Sequence, residues 1–373
     1  MVANRNALKA YAPQARKDFI QAMTNRAAQF GITKAGNTLG EERGELFIIG
    51  GKAFPRSVAE QRRRLIGRIE ATSFDQTMEA VAYTWFNRFL AIRYMERHGY
   101  FDHGYRVLSH PLGETEPEIL QQAQHLTLPG LDPDLVVDLK LRGDQDEALY
   151  RRILIAQCND LHRAMPFLFE RIDDETELLL PENLLQSDSI VRKLVNQIAE
   201  SEWDEIEIIG WLYQFYISEK KDQVIGKVVK SEDLPAATQL FTPNWIVKYM
   251  VQNSLGAQWL ATYPDSPLKA AMAYYIEPAE QTPEVRAQLD AITPRSLDPE
   301  TITLIDPAVG SGHILVEAYD LFRAIYIQRG YTPQAAARAI LTKNLYGLDI
   351  DDRAAQMAGF ALLMKARAAA CGV

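Results

Sequence analysis

The sequence predicts a mainly α N-terminal domain over residues 1–230, followed over 231–373 by the start of an α/β domain. Three observations carry this reading. From Asn4 to about Lys230, Gly and Pro punctuate helix-length segments rather than short alternating runs. After Gln239 a β-branched run, a glycine turn and amphipathic stretches follow one another. A length of 373 residues, 47% hydrophobic and 24% charged, suits two globular domains, each able to bury its own core.

The clearest helix of the first domain spans Ser73 to Gly99, where Met78, Val81, Ala82, Trp85, Phe89, Ile92 and Met95 recur at three- and four-residue steps. Ser73 suits its N-cap and Gly99 its end. A second apolar helix, Ile206 to Ser218, leads into Glu219, Lys220, Lys221 and Asp222, which read as an exit to the surface. Between Gly113 and Gly143 the density of Pro, Gly and Asp predicts loops. From Glu170 to Asp188 seven acids accompany a single Arg, a pattern expected of a solvated face.

Composition excludes several classes. A net charge of −9 argues against a chain that is wholly a phosphate-backbone clamp. Locally, Lys52, Arg56, Arg62, Arg63, Arg64 and Arg68 against Glu60 form the candidate DNA contact. Cys158 and Cys371 have no metal-ligand spacing, so buried thiols are expected, with no metal site. Neither a signal-like apolar run nor a membrane span occurs, which predicts a cytoplasmic protein with no membrane partner.

The second domain carries the chemistry. Phe241-Thr242-Pro243 precedes a helix from Asn244 to Leu255, with Thr242 as its expected N-cap and Pro243 as its first residue. Thr301 to Ile305 reads as a buried strand, followed at once by Asp306-Pro307-Ala308-Val309-Gly310-Ser311-Gly312-His313 and an amphipathic helix. Gly310 and Gly312 let a ligand approach the backbone. The third glycine of a dinucleotide fingerprint is replaced by Leu315, and Asp306 repels phosphate while suiting an ammonium group. A second strand, Asn344 to Leu348, ends at Asp349-Ile350-Asp351, where an acid holds a ribose diol. Asp351 is expected to cap the helix Arg353 to Ala370.

Asp306-Pro307-Ala308-Val309-Gly310-Ser311-Gly312 resembles the first motif of S-adenosylmethionine-dependent N6-adenine DNA methyltransferases. Tyr346-Gly347-Leu348-Asp349-Ile350-Asp351 resembles their second, and Phe241-Thr242-Pro243 the motif preceding both. Tyr11-Ala12-Pro13, the run Ile208 to Tyr216 and Ser218-Glu219-Lys220-Lys221 resemble, more narrowly, the PglX family of BREX phage-defence systems. The resemblance implies a Rossmann-like methyltransferase domain. It also implies a cofactor, S-adenosyl-L-methionine, held by Phe241, Thr242, Pro243, Asp306, Pro307, Ala308, Gly310, Gly312, Asp349 and Ile350. The cofactor carboxylate would lie beside Thr242 and Pro243, the ribose on Asp349 and the adenine on Ile350. His313 stands where many relatives have an apolar residue and receives no catalytic role. No metal is implied, because the sulfonium is itself the leaving group.

The family's catalytic loop, [ND]-P-P-[YFW], is absent from the sequence, and only two of about seven expected strands are legible. The resemblance therefore implies the N-terminal portion of a longer enzyme, whose catalytic loop and target-recognition domain lie beyond residue 373. This chain alone is expected not to methylate DNA. Double-stranded DNA would bind mainly through that absent part. Three rivals remain: a non-catalytic module docking other defence proteins or a phage inhibitor, a fused restriction-modification enzyme, and a small-molecule or RNA methyltransferase. The nuclease-like pairing of Pro133-Asp134 with Asp138-Leu139-Lys140 is too compact for two strands and is read as chance.

Overall fold

The computed structural model describes residues 5–172, 175–226, 229, 233–238, 240 and 242–371. Its contacts divide the chain into two compact units, Met1–Glu219 and Lys220–Val373. Phe241 lies outside the described residues, as does the side chain of Cys371.

The first unit opens with α1 (Arg5–Gln29) and five short strands, β1 (Ile32–Thr33), β2 (Gly36–Asn37), β3 (Gly40–Arg43), β4 (Leu46–Ile49) and β5 (Lys52–Pro55). The strands form a two-stranded and a three-stranded antiparallel sheet. The mainly α expectation for this domain places no strands in this stretch. Each is two to four residues long, and only Ile32, Phe47 and Ile49 among their residues are buried, so no sustained alternating apolar pattern announces them. Then follow α2 (Ser57–Ala71), α3 (Phe74–Arg97), α4 (Glu118–Gln121), α5 (Pro133–Arg142), α6 (Asp146–Leu161), α7 (Glu175–Leu179), α8 (Ile190–Gln197) and α9 (Glu207–Val224).

The predicted central helix is α3. Ser73 Oγ accepts from Gln76 N, and Trp85, Phe86 and Phe89 are fully buried. Phe19 of α1 meets Phe86 edge-on, ring centroids 5.5 Å apart. Arg93 and Glu96 form a buried ion pair at 2.6 Å, and the Glu96 carboxylate also accepts from Ser109 Oγ and Leu108 N. Those added bonds satisfy a charge that burial would otherwise penalise by several kcal/mol.

Three expectations for this unit are corrected. The 113–143 segment contains α4 and α5 between its loops. The acidic run near 170–188 is not simply a solvated face: Leu178, Leu179 and Leu180 are buried, while Glu175 pairs with Arg68, Glu177 with Arg151 and Glu182 with Arg26. Finally, α9 continues through the charged step Glu219–Asp222, where Glu219 pairs with Lys17 at 2.8 Å.

The second unit comprises α10 (Leu234–Thr238), α11 (Asn244–Val251), α12 (Ala257–Thr262), α13 (Pro283–Ile292), β6 (Leu304–Asp306), α14 (His313–Gln328), α15 (Pro333–Ala339), β7 (Leu345–Gly347) and α16 (Asp352–Cys371). A π-helical turn, Gln252–Gly256, joins α11 to α12. Tyr319, Phe322, Ile325 and Tyr326 of α14 form the core with Leu255, Trp259, Ile302 and Ile340. β6 and β7 pair in parallel, Leu304 with Leu345, Ile305 with Tyr346 and Asp306 with Gly347.

Both strands are shorter than predicted. Pro299–Thr301 forms a turn of 3₁₀ helix capped by Asp298. Asn344, instead of opening β7, is buried with its amide donating to Pro299 O and Ile302 O and accepting from Tyr326 OH. It ties the two strand entrances together by side-chain rather than ladder hydrogen bonds. No described helix is long and apolar enough to cross a membrane.

Candidate functional site

The parallel pairing brings the two acidic strand tips side by side. β6 ends at Asp306, and the chain turns through Pro307–Gly312 into α14, while β7 ends at Gly347 and turns through Leu348–Asp351 into α16. Backbone bonds fuse the two turns: Leu348 N donates to Asp306 O and Val309 N to Leu348 O, each at 2.9 Å. Asp349 completes the link. Its Oδ2 accepts from Gly310 N at 2.7 Å and its Oδ1 from Asp351 N at 2.8 Å.

The glycines divide their work. Gly310, at φ +54°, has open space where a Cβ would stand. Gly312, at φ +91°, caps α14, and a Cβ there would meet the Cβ of Ala358 at 2.9 Å. Gly347 lies against Val309 and Leu315, each 3.1 Å from its ideal Cβ. Gly310 thus keeps the loop open to a ligand, while Gly312 and Gly347 admit close packing behind it. The first turn of α14 presents free N–H groups beside that opening.

Asp306 is buried, and its Oδ1 accepts from Ala308 N at 3.1 Å. Burial raises its pKa above the usual carboxylate value, against the lowering effect of that bond, and the neighbouring Asp349 charge raises it further. Ile350 is 66% exposed next to Asp349. Asp351 Oδ1 accepts from Arg353 N, the capping role expected of it. His313 is half-buried at the start of α14, and desolvation of its ring pushes its pKa down to about 4.

Thr242 and Pro243 precede α11, which packs along α14. Thr242 is not the N-cap. Pro243 takes that position in extended conformation, and its carbonyl accepts from Ile246 N and Val247 N without side-chain capping. The helix starts one residue later than expected because Pro243 itself supplies the turn.

The basic stretch is only partly a surface. Arg62 is 8% exposed and turned inward, donating through Nε to Phe30 O at 2.8 Å and through Nη2 to Thr38 O at 2.5 Å. That placement removes it from the candidate DNA contact. Arg63 and Arg64 share Glu60, Arg56 pairs with Glu42, and Arg68 with Glu175, leaving Lys52 on β5 exposed beside them. The nuclease-like residues Asp134, Asp138 and Lys140 all sit on α5, where Asp138 pairs with Arg142. Among the described residues no group of three or more His, Cys, Asp or Glu could hold a metal ion. Cys158 is buried, which pushes its thiol up to about 11.

The family described as MmeI, DNA-methyltransferase domain, matches residues 283–371. Over 98% of its length the chain is 59% identical to adenine-specific methyltransferase BrxX of Escherichia coli O9:H4 (strain HS), covering 31% of that protein. It is 37% identical to adenine-specific methyltransferase PglX of Lacticaseibacillus casei (strain Zhang), over 98% of this chain and 33% of that protein. The chain spans about a third of the length of these curated relatives. The resemblance carried by the sequence motifs is borne out.

Proposed function

We propose that this chain is the cofactor-binding portion of a site-specific DNA methyltransferase, which transfers a methyl group from S-adenosyl-L-methionine to N6 of adenine in double-stranded DNA within a BREX-type phage defence. In this reading a helical domain over 1–230 precedes the first part of a Rossmann-like methyltransferase domain over 231–373. The observation that carries it is the joining of the glycine loop to Asp349 at the tips of two parallel strands.

The residues fit the cofactor. An open glycine, an accessible apolar side chain at Ile350 and two carboxylates with no ion-pair partner among the described residues suit a ligand with a positive centre, an aromatic base and a diol. Bound there, the cofactor supplies an electrophilic methyl group on a sulfonium. Asp349, its carboxylate fixed by Gly310 and Asp351, offers its remaining lone pairs to the ribose hydroxyls. Ile350 gives the adenine a surface that excludes water. Asp306 would set a negative charge for the ammonium group, and the N-terminus of α14, with Thr242 and Pro243, would hold the carboxylate. Pro307 and Ala308 shape the loop by turning the Ala308 N–H onto Asp306.

None of these residues acts on the adenine. The chain contains no [ND]-P-P-[YFW] tetrapeptide, so target-base chemistry belongs to the remainder of the enzyme, and this chain alone is inactive. Three of the seven acids in the run that favoured a docking module, Glu175, Glu177 and Glu182, are engaged by Arg68, Arg151 and Arg26.

The test is calorimetric titration of S-adenosyl-L-methionine into the full-length protein and its Asp349→Ala variant. Saturable binding lost in the variant is expected. Equal binding by both proteins would remove this site from consideration.

A further inference from the structure

Asn344 closes a second π-helical turn, Ile340–Asn344, between α15 and β7, in which Leu345 N donates to Ile340 O, five residues back. Its side-chain amide is fully buried and spans three pieces of the second unit. Nδ2 donates to Pro299 O and to Ile302 O, both at 2.7 Å, on the segment that enters β6. Oδ1 accepts at 2.9 Å from the hydroxyl of Tyr326, in the last turn of α14. At their other ends these pieces carry the candidate site: β6 ends at Asp306, β7 leads to Asp349, and α14 starts from the glycine loop.

The strands alone hold this arrangement weakly. Their ladder has three residue pairs, and among the described residues no further strand joins β6 or β7. A slip of one residue along such a ladder moves an acid by about 3.3 Å and turns it to the other face. At the tips, Leu348 N, Val309 N and Gly310 N fuse the two turns; at the roots, Asn344 is the matching tie. The neighbouring Lys343–Glu300 ion pair is partly exposed and contributes little. A hydrocarbon side chain at 344 would fill the space but leave the carbonyls of two buried residues and a buried tyrosine hydroxyl without that partner.

We propose that Asn344 is a positioning residue for the cofactor: by fixing the roots of β6, β7 and α14 against one another, it sets the separation of Asp306 and Asp349 and the place of the glycine loop between them. The levers are short, since Ile302 is four residues from Asp306 and Asn344 five from Asp349. A binding constellation works only when its supporting groups hold it to within about 0.5 Å. The inference rests on the proposed cofactor site, and it goes beyond that site in assigning cofactor affinity to a fully buried side chain that lies outside the three motifs and touches no ligand.

The test compares the wild-type full-length protein with Asn344→Leu, Tyr326→Phe and Lys343→Ala, by calorimetric titration of S-adenosyl-L-methionine and by amide hydrogen exchange, at a temperature where all remain folded. Tyr326→Phe and Lys343→Ala keep both donors to the β6 entrance and are expected to bind as the wild type does. Asn344→Leu is expected to bind at least about tenfold more weakly, with faster exchange at Val309, Gly310 and Leu348 and wild-type exchange in the middle of α14. Asn344→Asp keeps the acceptor for Tyr326 but can no longer donate to both carbonyls, and it gives the same result should the leucine variant not fold. Wild-type affinity in the Asn344 variants, or faster exchange spread evenly over α14, overturns the proposal alone. A wild type that does not bind the cofactor overturns the cofactor reading and this proposal with it.

Discussion

Gly310 donates its backbone N–H to Oδ2 of Asp349 at 2.7 Å, so the turn after the first strand and the acid after the second are one structural piece. On the proposed reading, a change at Asp349 therefore reaches both ligand and loop. Asp349→Asn separates the two roles, because the amide oxygen can still accept one of the two N–H groups while the charge is gone. Hydrogen bonds to a charged group contribute about 1.5–3 kcal/mol, so cofactor affinity is expected to fall about 10- to 150-fold. Amide exchange at Gly310 and Asp351 reports the loop in the same sample. Undiminished affinity would show that Asp349 serves the loop alone.

The two glycines of the loop should respond unequally to alanine. At Gly310 the added methyl enters open space, so the cost is the left-handed backbone alone, about 1–2 kcal/mol. At Gly312 the same backbone cost is joined by overlap with Ala358, 2.9 Å to its Cβ and 3.0 Å to its Cα. Overpacking adds about 1–3 kcal/mol. Urea unfolding of the two variants should rank Gly312→Ala well below Gly310→Ala, and the reverse order would contradict the packing of α14 on α16.

Arg62 and its neighbours Arg63 and Arg64 are adjacent in sequence and opposite in role. Arg62→Ala removes the buried guanidinium and orphans the carbonyls of Phe30 and Thr38, and about 2–4 kcal/mol of stability should be lost. Arg63→Ala and Arg64→Ala remove only exposed partners of Glu60 and should stay within about 0.5 kcal/mol. A fair test of DNA contact by this face therefore uses Lys52, Arg63 and Arg64. Their joint replacement should flatten the salt dependence of DNA binding by the full-length enzyme, and an unchanged slope would dismiss the face.

The sequence made the α3 core, the cap at Ser73 and the coupled strand-turn-helix pieces around Asp306 and Asp349 legible, because each follows a local rule of periodicity or turn chemistry. What escaped it was non-local. Nothing in the spacing of Arg62, Arg63 and Arg64 says which side chain turns inward toward Phe30 and Thr38. The acids at 175, 177 and 182 look like a solvated run until α2, α6 and α1 bring Arg68, Arg151 and Arg26 against them. The strands between Ile32 and Pro55 are too short to impose a sustained alternating pattern, and only Ile32, Phe47 and Ile49 among their residues are buried.

His313 gives the site a pH signature. Its ring is half-buried where α14 begins, and desolvation holds its pKa at about 4, below the 6.5 of an accessible imidazole. The unfolded chain therefore binds more protons than the folded one between those two values, and stability must fall as pH falls through that window. The loss approaches ~3 kcal/mol at the acid end and is fully recovered above about pH 6.5. Asp306 acts in the opposite sense, since its raised pKa means that its folded form takes up a proton more readily than the unfolded chain. Replacing His313 by Phe keeps an apolar ring in the same place and removes the titration. Urea midpoints measured from pH 4 to 7 should decline toward acid in the wild type and lose most of that slope in His313→Phe; parallel curves would place the acid sensitivity on another group.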